Sequence, residues 1–427
     1  MNYEESVAYI HGKYGRGVKR GLDNMRALLQ RLGNPQERLR CIHVAGTNGK
    51  GSTCAFLDAA LRAAGYRAGL YTSPFLMRYN ERMRIDGKEI PDEVLAALTT
   101  EVASHVQAME ESGEGYPTVF EIGTAILFTW LAREKVDVAV IEVGLGGTWD
   151  PTNVLTPEVS AIARIGLDHT KTLGNTLEEI AAVKGGIIKP GRPAVLQAQG
   201  ERVAAVIREI CRQKGSPFLN CADYPPKGVA LTAQGARFTV GFPGLPEQEY
   251  EIRLPGAHQV ANAVTALAAL SQLPEDLRIS PACARTGLAE AVWPGRLEWR
   301  GNLLLDGAHN PQGIEALRSY ARNFLQGRRI VLLTGAMADK DVSTMADGIA
   351  SLADAIVCVA PEHMARAARA EDLCALYRER TDKPVLAAGE TAQGLEKARA
   401  LAGAEGVVLV CGSLYLVGEV RRMLESH

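Results

Sequence analysis

The stretch CIHVAGTNGKGSTCAFLDAALRAA, residues 41–64, decides the fold. It opens on a short apolar run, Cys41 to Ala45, that reads as a strand. A glycine-rich loop follows, Gly46-Thr47-Asn48-Gly49-Lys50-Gly51-Ser52-Thr53. Residues 52–64 then place apolar side chains on one face of a helix. Strand, glycine loop and helix in that order describe a phosphate cradle, because backbone N–H groups and the helix dipole can hold phosphate oxygens there. Lys50 would neutralise phosphate charge, and Ser52 would meet a phosphate oxygen or Mg²⁺. The loop departs from G-x-x-x-x-G-K-[ST]: its glycine spacing is shorter, and Gly51 separates Lys50 from Ser52. A plain glycine turn with a surface lysine is the alternative. It does not explain why the loop lies between a strand and a helix.

Working outward, Arg67 to Thr72 is the next strand, so the chain opens a doubly wound sheet. Val136 to Val143 is almost wholly apolar, as expected for a strand buried on both faces. Strands are also expected at 159–165 and 194–197, with a helix from Leu177 that ends in Gly185-Gly186. Residues 1–34 read as helical, broken by the glycine loop KYGRGVKRGL at 13–22. Alternation in ARFTVGF and EYEIRL, with Gly-Leu-Pro between, predicts a β-hairpin within 227–254. An alanine-rich helix follows at 258–273. After Trp293-Pro294-Gly295 the α/β rhythm restarts, with strands at 302–306, 329–334, 355–359, 384–387 and 406–411 and helices at 311–325 and 414–424. The expected fold is α/β. Residues 1–294 form a P-loop-type, doubly wound, mostly parallel sheet with a small β-hairpin region. Residues 295–427 form a second, smaller Rossmann-like α/β domain.

Composition narrows the class. At ~150 residues per domain, 427 residues suggest two or three domains. Charged residues are 22% and hydrophobic residues 47%, an ordinary globular balance. The net charge of −2 gives no basic surface for nucleic acid or for an anionic membrane. No apolar run approaches the ~18 residues of a membrane span. The acidic N-terminus lacks a signal-peptide core. No two of the eight cysteines are three apart, which excludes CxxC zinc or redox patterns. A reduced cytoplasmic enzyme is expected, acting as a monomer.

Further chemistry-bearing residues lie at strand exits. Glu142 ends the apolar strand, where ligands bind in such sheets, and one carboxylate can suffice for Mg²⁺, which keeps its waters. Asp168-His169 follows strand 159–165 and reads as a catalytic pair, a metal ligand or a helix cap. Ser73, in TSPF, is a ligand or a turn cap. Asp306 and His309, in DGAHNP, leave a strand of the second domain, and Asp306 could equally cap the turn. Lys340-Asp341 is similar. Arg296, at the domain boundary, contacts nucleotide or forms a salt bridge. Together these features point to an ATPase whose phosphates sit on one domain and whose second domain closes over them.

The set resembles the folylpolyglutamate synthase and dihydrofolate synthase family, within the Mur ligase superfamily. The matching segments are HVAGTNGKGST (43–53), LYTSPF (70–75), TVFEIGT (118–124), EVGLGGTWDPTN (142–153), IGLDH (165–169), AVKGGIIKPG (182–191), GAHQVANA (256–263), WPGRLE (293–298), DGAHNP (306–311), DKD (339–341) and GSLYLVGEVR (412–421). They run in order along nearly the whole chain. The resemblance implies ATP-dependent joining of L-glutamate to the carboxylate of dihydropteroate or a reduced folate, through an acyl phosphate. It implies that Thr47, Asn48, Gly49, Lys50, Gly51, Ser52, Asn262, Arg296 and Asp306 bind ATP, and that Ser73, Glu142 and His169 hold Mg²⁺. Lys184 matches a lysine that relatives carry as a carbamate, and a plain salt-bridging lysine is the alternative. Lys50, Lys184 and His309 would be catalytic, with His309 and Ser413 near glutamate. Leu22, Phe120, Glu121 and Thr148 would line the folate side.

The chain also departs from the family pattern. Many relatives have His where Phe75 stands, and several have Arg-Leu or Asp-Thr at Thr148-Trp149. Both positions bear on acceptor choice rather than ATP chemistry, and a bifunctional synthase is favoured over a monofunctional folylpolyglutamate synthase. A cell-wall ligase of the same superfamily would place a UDP-binding domain of about 100 residues before the glycine loop. Only 45 residues precede it. A partner-binding switch ATPase would leave DGAHNP and GSLY without a role, and a non-enzymatic binding protein would need no metal constellation.

Overall fold

The computed structural model describes residues 1–13, 21–338, 340–362 and 367–425. Most of the glycine loop expected at 13–22, and Asp339 of DKD, lie outside the described residues.

The larger sheet has eight strands: β1 (Cys41–Ala45), β2 (Ala68–Tyr71), β3 (Met83–Ile85), β4 (Lys88–Glu89), β5 (Val138–Glu142), β6 (Val159–Ile162), β7 (Ala194–Leu196) and β8 (Phe218–Asn220). Their order is β4-β3-β2-β5-β1-β6-β7-β8. All pairings from β2 to β8 are parallel, and the β3 and β4 pairings are antiparallel. Every side chain of β1, β5 and β6 is buried, as a central parallel sheet covered on both faces requires. On one side pack helices Tyr3–Gly12, Asp23–Arg31, Asp92–Glu111 and Val119–Glu134, through Ile10, Leu28, Val102 and Phe128. A second cluster joins Ile162 and Leu196 to Ile180 and Ile207, from helices Leu177–Gly185 and Glu201–Lys214.

The chain leaves β1 for β2 on one side of the sheet, while β6 pairs on the other. This reversal creates a crevice outside the C-terminal end of β1, the place where such sheets bind ligands. Strands β2, β5, β1 and β6 are adjacent and parallel, so the loops that follow them open on one edge.

A separate three-stranded sheet has order β11-β10-β9: β9 (Lys227–Thr232), β10 (Gly235–Phe242) and β11 (Leu245–Ile252). The expected hairpin is its β10–β11 pair. The extra strand β9 is exposed along nearly its whole length, so its sequence carries no alternation. The turn is Pro243-Gly244, and Leu245 and Pro246 already belong to β11.

The second sheet contains β12 (Glu298–Arg300), β13 (Leu303–Leu305), β14 (Ile330–Thr334), β15 (Ala355–Cys358), β16 (Val385–Ala387) and β17 (Val407–Cys411), in order β12-β13-β17-β14-β15-β16. It is parallel except for the β12 edge. The chain divides into two compact units. The first comprises 1–229, 237–252 and 260–291; the second comprises 292–427 together with 230–236 and 253–259. Those two short segments precede residue 295 in sequence yet group with the second unit.

Candidate active site

The glycine loop at residues 46–53 is tied down at its start. Thr47 N–H and Asn48 N–H both donate to Arg164 O, at 2.8 and 3.1 Å, and Thr47 Oγ1 bonds Gly166. The helix then begins at Lys50, two residues before the sequence pattern suggests, and runs to Ala63. Thr53 N–H donates to Gly49 O at 2.9 Å, so the N–H groups of Lys50, Gly51 and Ser52 precede the first intrahelical bond. Three donors and the positive helix end therefore share one turn with the Lys50 ammonium.

Gly49 caps this helix at φ +85°, a conformation that favours glycine. A Cβ there would lie 2.2 Å from Asn262 Oδ1. The buried Asn262 amide, from helix Ala257–Ser271, thus sits directly against the loop. Gln197 Nε2 donates to Asn262 Oδ1 at 3.1 Å.

Glu142, at the end of β5, is 3% exposed. Its Oε2 accepts Ser73 N–H at 3.0 Å, and its Oε1 lies 3.8 Å from Lys50 Nζ. The structure thereby brings together three expected residues from three strand exits. His169 stands in the loop after β6, at φ +50°. Its N–H donates to Asp168 Oδ1 at 2.8 Å, and its Nε2 lies 3.9 Å from the same oxygen.

Lys184 is nearly buried, and its Nζ donates to Gly46 O at 2.8 Å. Burial, reinforced by the Lys50 charge, pulls its pKa down to about 7. Its position depends on two glycine pairs that interlock. Gly147 has no room for a Cβ, which would lie 2.7 Å from Val183 O, and a Cβ at Gly186 would lie 2.1 Å from Thr148 Oγ1. Thr148 N–H and Oγ1 both donate to Val183 O, at 2.9 Å each. The loop after β5 is thus fastened to the last turn of helix Leu177–Gly185.

Sequence patterning alone did not single out Asp150, which organises that loop. Its buried carboxylate accepts Leu145 N–H at 2.9 Å and Thr152 N–H at 3.0 Å, and Thr152 Oγ1 bonds it as well. Thr152 Oγ1 also meets Nε2 of the fully buried His43 of β1, at 2.8 Å. The available signal was Asp-Pro at a helix start, 150–151.

Among the expected folate-side residues, Phe120 packs near Tyr71, with ring centroids 6.1 Å apart. A Cβ at Gly144 would lie 2.2 Å from its ring. Glu121 accepts Thr118 N–H at 2.7 Å in a capping box, a helix-starting bond the motif reading overlooked. Leu22 precedes helix Asp23–Arg31 as its N-cap residue.

The second unit builds its own cluster where β13 and β17 end side by side. Asp306 is buried, and its carboxylate accepts Leu297 N–H and Ala308 N–H, at 2.9 Å each. Burial raises its pKa, and the Arg296 charge opposes the shift. Arg296 Nη1 donates to Gly295 O at 3.0 Å. Gly412 N–H donates to Ala308 O at 2.9 Å, which joins the DGAHNP and GSLY loops. His309 Nδ1 lies 2.8 Å from Gly307 O. A carbonyl only accepts, so Nδ1 carries a proton. Ser413 Oγ accepts Tyr415 N–H at 3.1 Å at the start of helix Leu414–Glu425. Asp341 likewise caps its helix, accepting Thr344 N–H at 3.1 Å.

Two family models match the chain. The Mur ligase middle domain spans residues 44–270, and the Mur ligase glutamate ligase domain spans 295–414. The dihydrofolate synthase/folylpolyglutamate synthase of Bacillus subtilis (strain 168) is 37% identical, over 99% of both chains. The chain belongs to the folylpolyglutamate synthase/dihydrofolate synthase family of Mur ligases. A second family member, the folylpolyglutamate synthase of Lacticaseibacillus casei, is also 37% identical over 99% of both chains. Among solved structures of the family, E. coli FolC in complex with DHPP and ADP matches with TM-score 0.86 and 29% identity, over 100% of this chain and 98% of the other. Among the described residues, no helix is long and apolar enough to cross a membrane.

Proposed function

We propose that this protein uses ATP to join L-glutamate to the carboxylate of dihydropteroate and of reduced folyl chains. The observation that carries the reading is the Lys50–Glu142–Ser73 cluster at the phosphate loop of a chain that also contains a glutamate ligase domain.

A carboxylate does not react with amines at neutral pH. The acceptor oxygen attacks the γ-phosphorus of ATP, and the bond to the β-phosphate oxygen breaks, which gives ADP and an acyl phosphate. The uncharged amine of glutamate then attacks the acyl carbon. Phosphate leaves, and the amine gives up a proton. The N–H groups of Lys50, Gly51 and Ser52, with the Lys50 ammonium, balance the phosphate charge that moves in the first step. Asn262, Arg296 and Asp306 would hold the nucleotide, while His309 and Ser413 would orient glutamate.

Ser73, Glu142 and His169 would hold Mg²⁺. Among the described residues, no three His, Cys, Asp or Glu side chains gather as a metal cluster. A buried strand-end carboxylate beside a hydroxyl-bearing residue still fits a cation that keeps several waters. When bound, Mg²⁺ supplies charge neutralisation at the phosphate oxygens. Lys184 would become a carbamate: its neutral amine attacks CO₂, and one proton is released. An amine held near 7 is available for this at physiological pH.

Leu22, Phe120, Glu121 and Thr148 would face the acceptor. Relatives of both kinds support use of both acceptors, since the Bacillus subtilis relative carries both synthase names. Use of folyl chains alone is the second reading, supported by the Lacticaseibacillus casei name. We propose further that the protein acts as a monomer. ADP release with Mg-ATP and L-glutamate, compared between 7,8-dihydropteroate, tetrahydrofolate and no acceptor, tests the reading. Release with both acceptors supports it. Release with one assigns the protein to that half of the family, and release with none present points to a plain ATPase.

A further inference from the structure

His43 is the middle residue of β1, a strand paired on both edges, with β5 and with β6. Its side chain is fully buried. Nε2 lies 2.8 Å from Thr152 Oγ1, while Nδ1 is buried and meets no hydrogen-bond partner among the described residues. Thr152 Oγ1 donates to Asp150 Oδ1, and the same carboxylate accepts Leu145 N–H and Thr152 N–H. Burial pulls the His43 pKa down to about 3, so the ring is neutral and carries one proton.

The place of that proton follows from the donors. Thr152 has one hydroxyl hydrogen, and it goes to Asp150. Thr152 Oγ1 can then only accept from His43, so Nε2 carries the proton and Nδ1 is bare. The opposite arrangement would put a proton on Asp150 and leave a buried Nδ1–H with no acceptor. A stranded donor is rarer in protein interiors than an unmatched acceptor.

We propose that His43 is a positioning residue for the acceptor, acting through Thr152 and Asp150 on the loop after β5. This rests on the reading above that Phe120 and Thr148 face the acceptor. The loop folds on Asp150, whose carboxylate holds Leu145 N–H and whose own N–H donates to Gly147 O at 3.1 Å. Asn153, next to Thr152, donates from Nδ2 to Thr148 O at 3.0 Å. Held this way, the loop keeps Gly144 against the Phe120 ring and Thr148 on Val183 O. Strand β1 cannot shift without breaking two ladders, so His43 ties the loop to a fixed point of the sheet. An apolar side chain would fill the same space without an unmatched Nδ1. Histidine here is explained by what Nε2–H does for Thr152.

The test compares wild type with His43→Leu, His43→Gln, Thr152→Val and the double variant His43→Leu/Thr152→Val. Leucine removes the donor. Glutamine supplies one again, because its amide can present Nε2 to Thr152. Valine keeps the shape of Thr152 without its hydroxyl. His43→Leu and Thr152→Val should each raise KM for the acceptor by about tenfold, the size of one hydrogen bond in a charged network. KM for ATP should stay within about twofold, and His43→Gln should recover most of the acceptor loss. The double variant should be no worse than the weaker single variant by more than about twofold, because the residues act as one unit. An unchanged acceptor KM in both single variants overturns the proposal. So does a parallel rise in every KM, or no recovery with glutamine. If His43→Leu does not fold, Thr152→Val decides the kinetic result, and failure of both to fold overturns the proposal in favour of a purely structural role. In ¹⁵N-histidine-labelled wild type at neutral pH, His43, assigned by its loss in His43→Gln, should show the Nε2–H tautomer. An Nδ1–H or doubly protonated ring overturns the relay without any turnover. A wild type that ligates neither acceptor sinks the proposed function and the acceptor role of His43 together. Intact ligation with any of the overturning results above sinks this proposal alone.

Discussion

Lys50 Nζ lies 3.8 Å from Glu142 Oε1, and the other Glu142 oxygen accepts the Ser73 N–H at 3.0 Å. One buried carboxylate thus links the phosphate-loop lysine to the exit of the neighbouring strand β2. Under the proposed function Lys50 would balance phosphate charge while staying oriented, and Glu142 would provide that orientation. Lys50→Met is expected to lower acceptor-dependent ADP release by roughly 100- to 1,000-fold, the scale of losing one preorganised charge donor. Steady-state assay checks this, and a near-normal rate would remove Lys50 from the phosphate site.

Glu142→Gln keeps the shape and removes the charge. The Mg²⁺ concentration for half-maximal activity should rise by about tenfold or more. An unchanged Mg²⁺ titration would place the cation elsewhere.

Gly49→Ala forces a Cβ into a left-handed cap and against Asn262. The backbone cost alone is about 1–2 kcal/mol. The melting temperature should fall modestly while KM for ATP rises. A variant with the wild-type KM for ATP would show that the cap is not at the nucleotide.

Lys184 gives a pH prediction with a definite sign. Its folded-state pKa is about 7, against an ordinary 10.5. Between those values the unfolded chain binds more protons than the folded one, so stability rises with pH across that window. In CO₂-free buffer, wild type should gain melting temperature relative to Lys184→Met as pH rises from 7 toward 10. The same titration frees the amine, so bicarbonate should activate CO₂-depleted enzyme more at pH 8 than at pH 6. A flat melting difference would show that the amine is not desolvated.

His309→Ala should keep nucleotide affinity and lose ligation. Calorimetry with ADP and product analysis separate the two effects. Undiminished ligation would count against a role at glutamate.

Much of this architecture is legible in the sequence because its signals are local. The β1 strand, the glycine loop and its helix are contiguous, and the apolar run of β5 ends at Glu142. Strand β9 was hidden because its side chains face solvent on both sides. The Thr118-x-x-Glu121 capping box was present in the sequence, but the family motif drew attention to the pocket instead. Other parts depend on contacts remote along the chain. His43, Thr152 and Asp150 form one buried chain across more than a hundred residues. Lys184 is buried because Gly147 and Gly186 allow two backbones to approach. No pattern of spacing reports such a meeting, and only the resemblance pointed to Lys184.

The central claim is ATP-driven amide formation through an acyl phosphate. Its most direct test uses an acceptor whose carboxylate oxygens are ¹⁸O-labelled, with Mg-ATP and L-glutamate, and mass analysis of the released phosphate. The account predicts one ¹⁸O in each phosphate formed, and only when glutamate is joined. Phosphate without the label, alongside the ligated product, would contradict it.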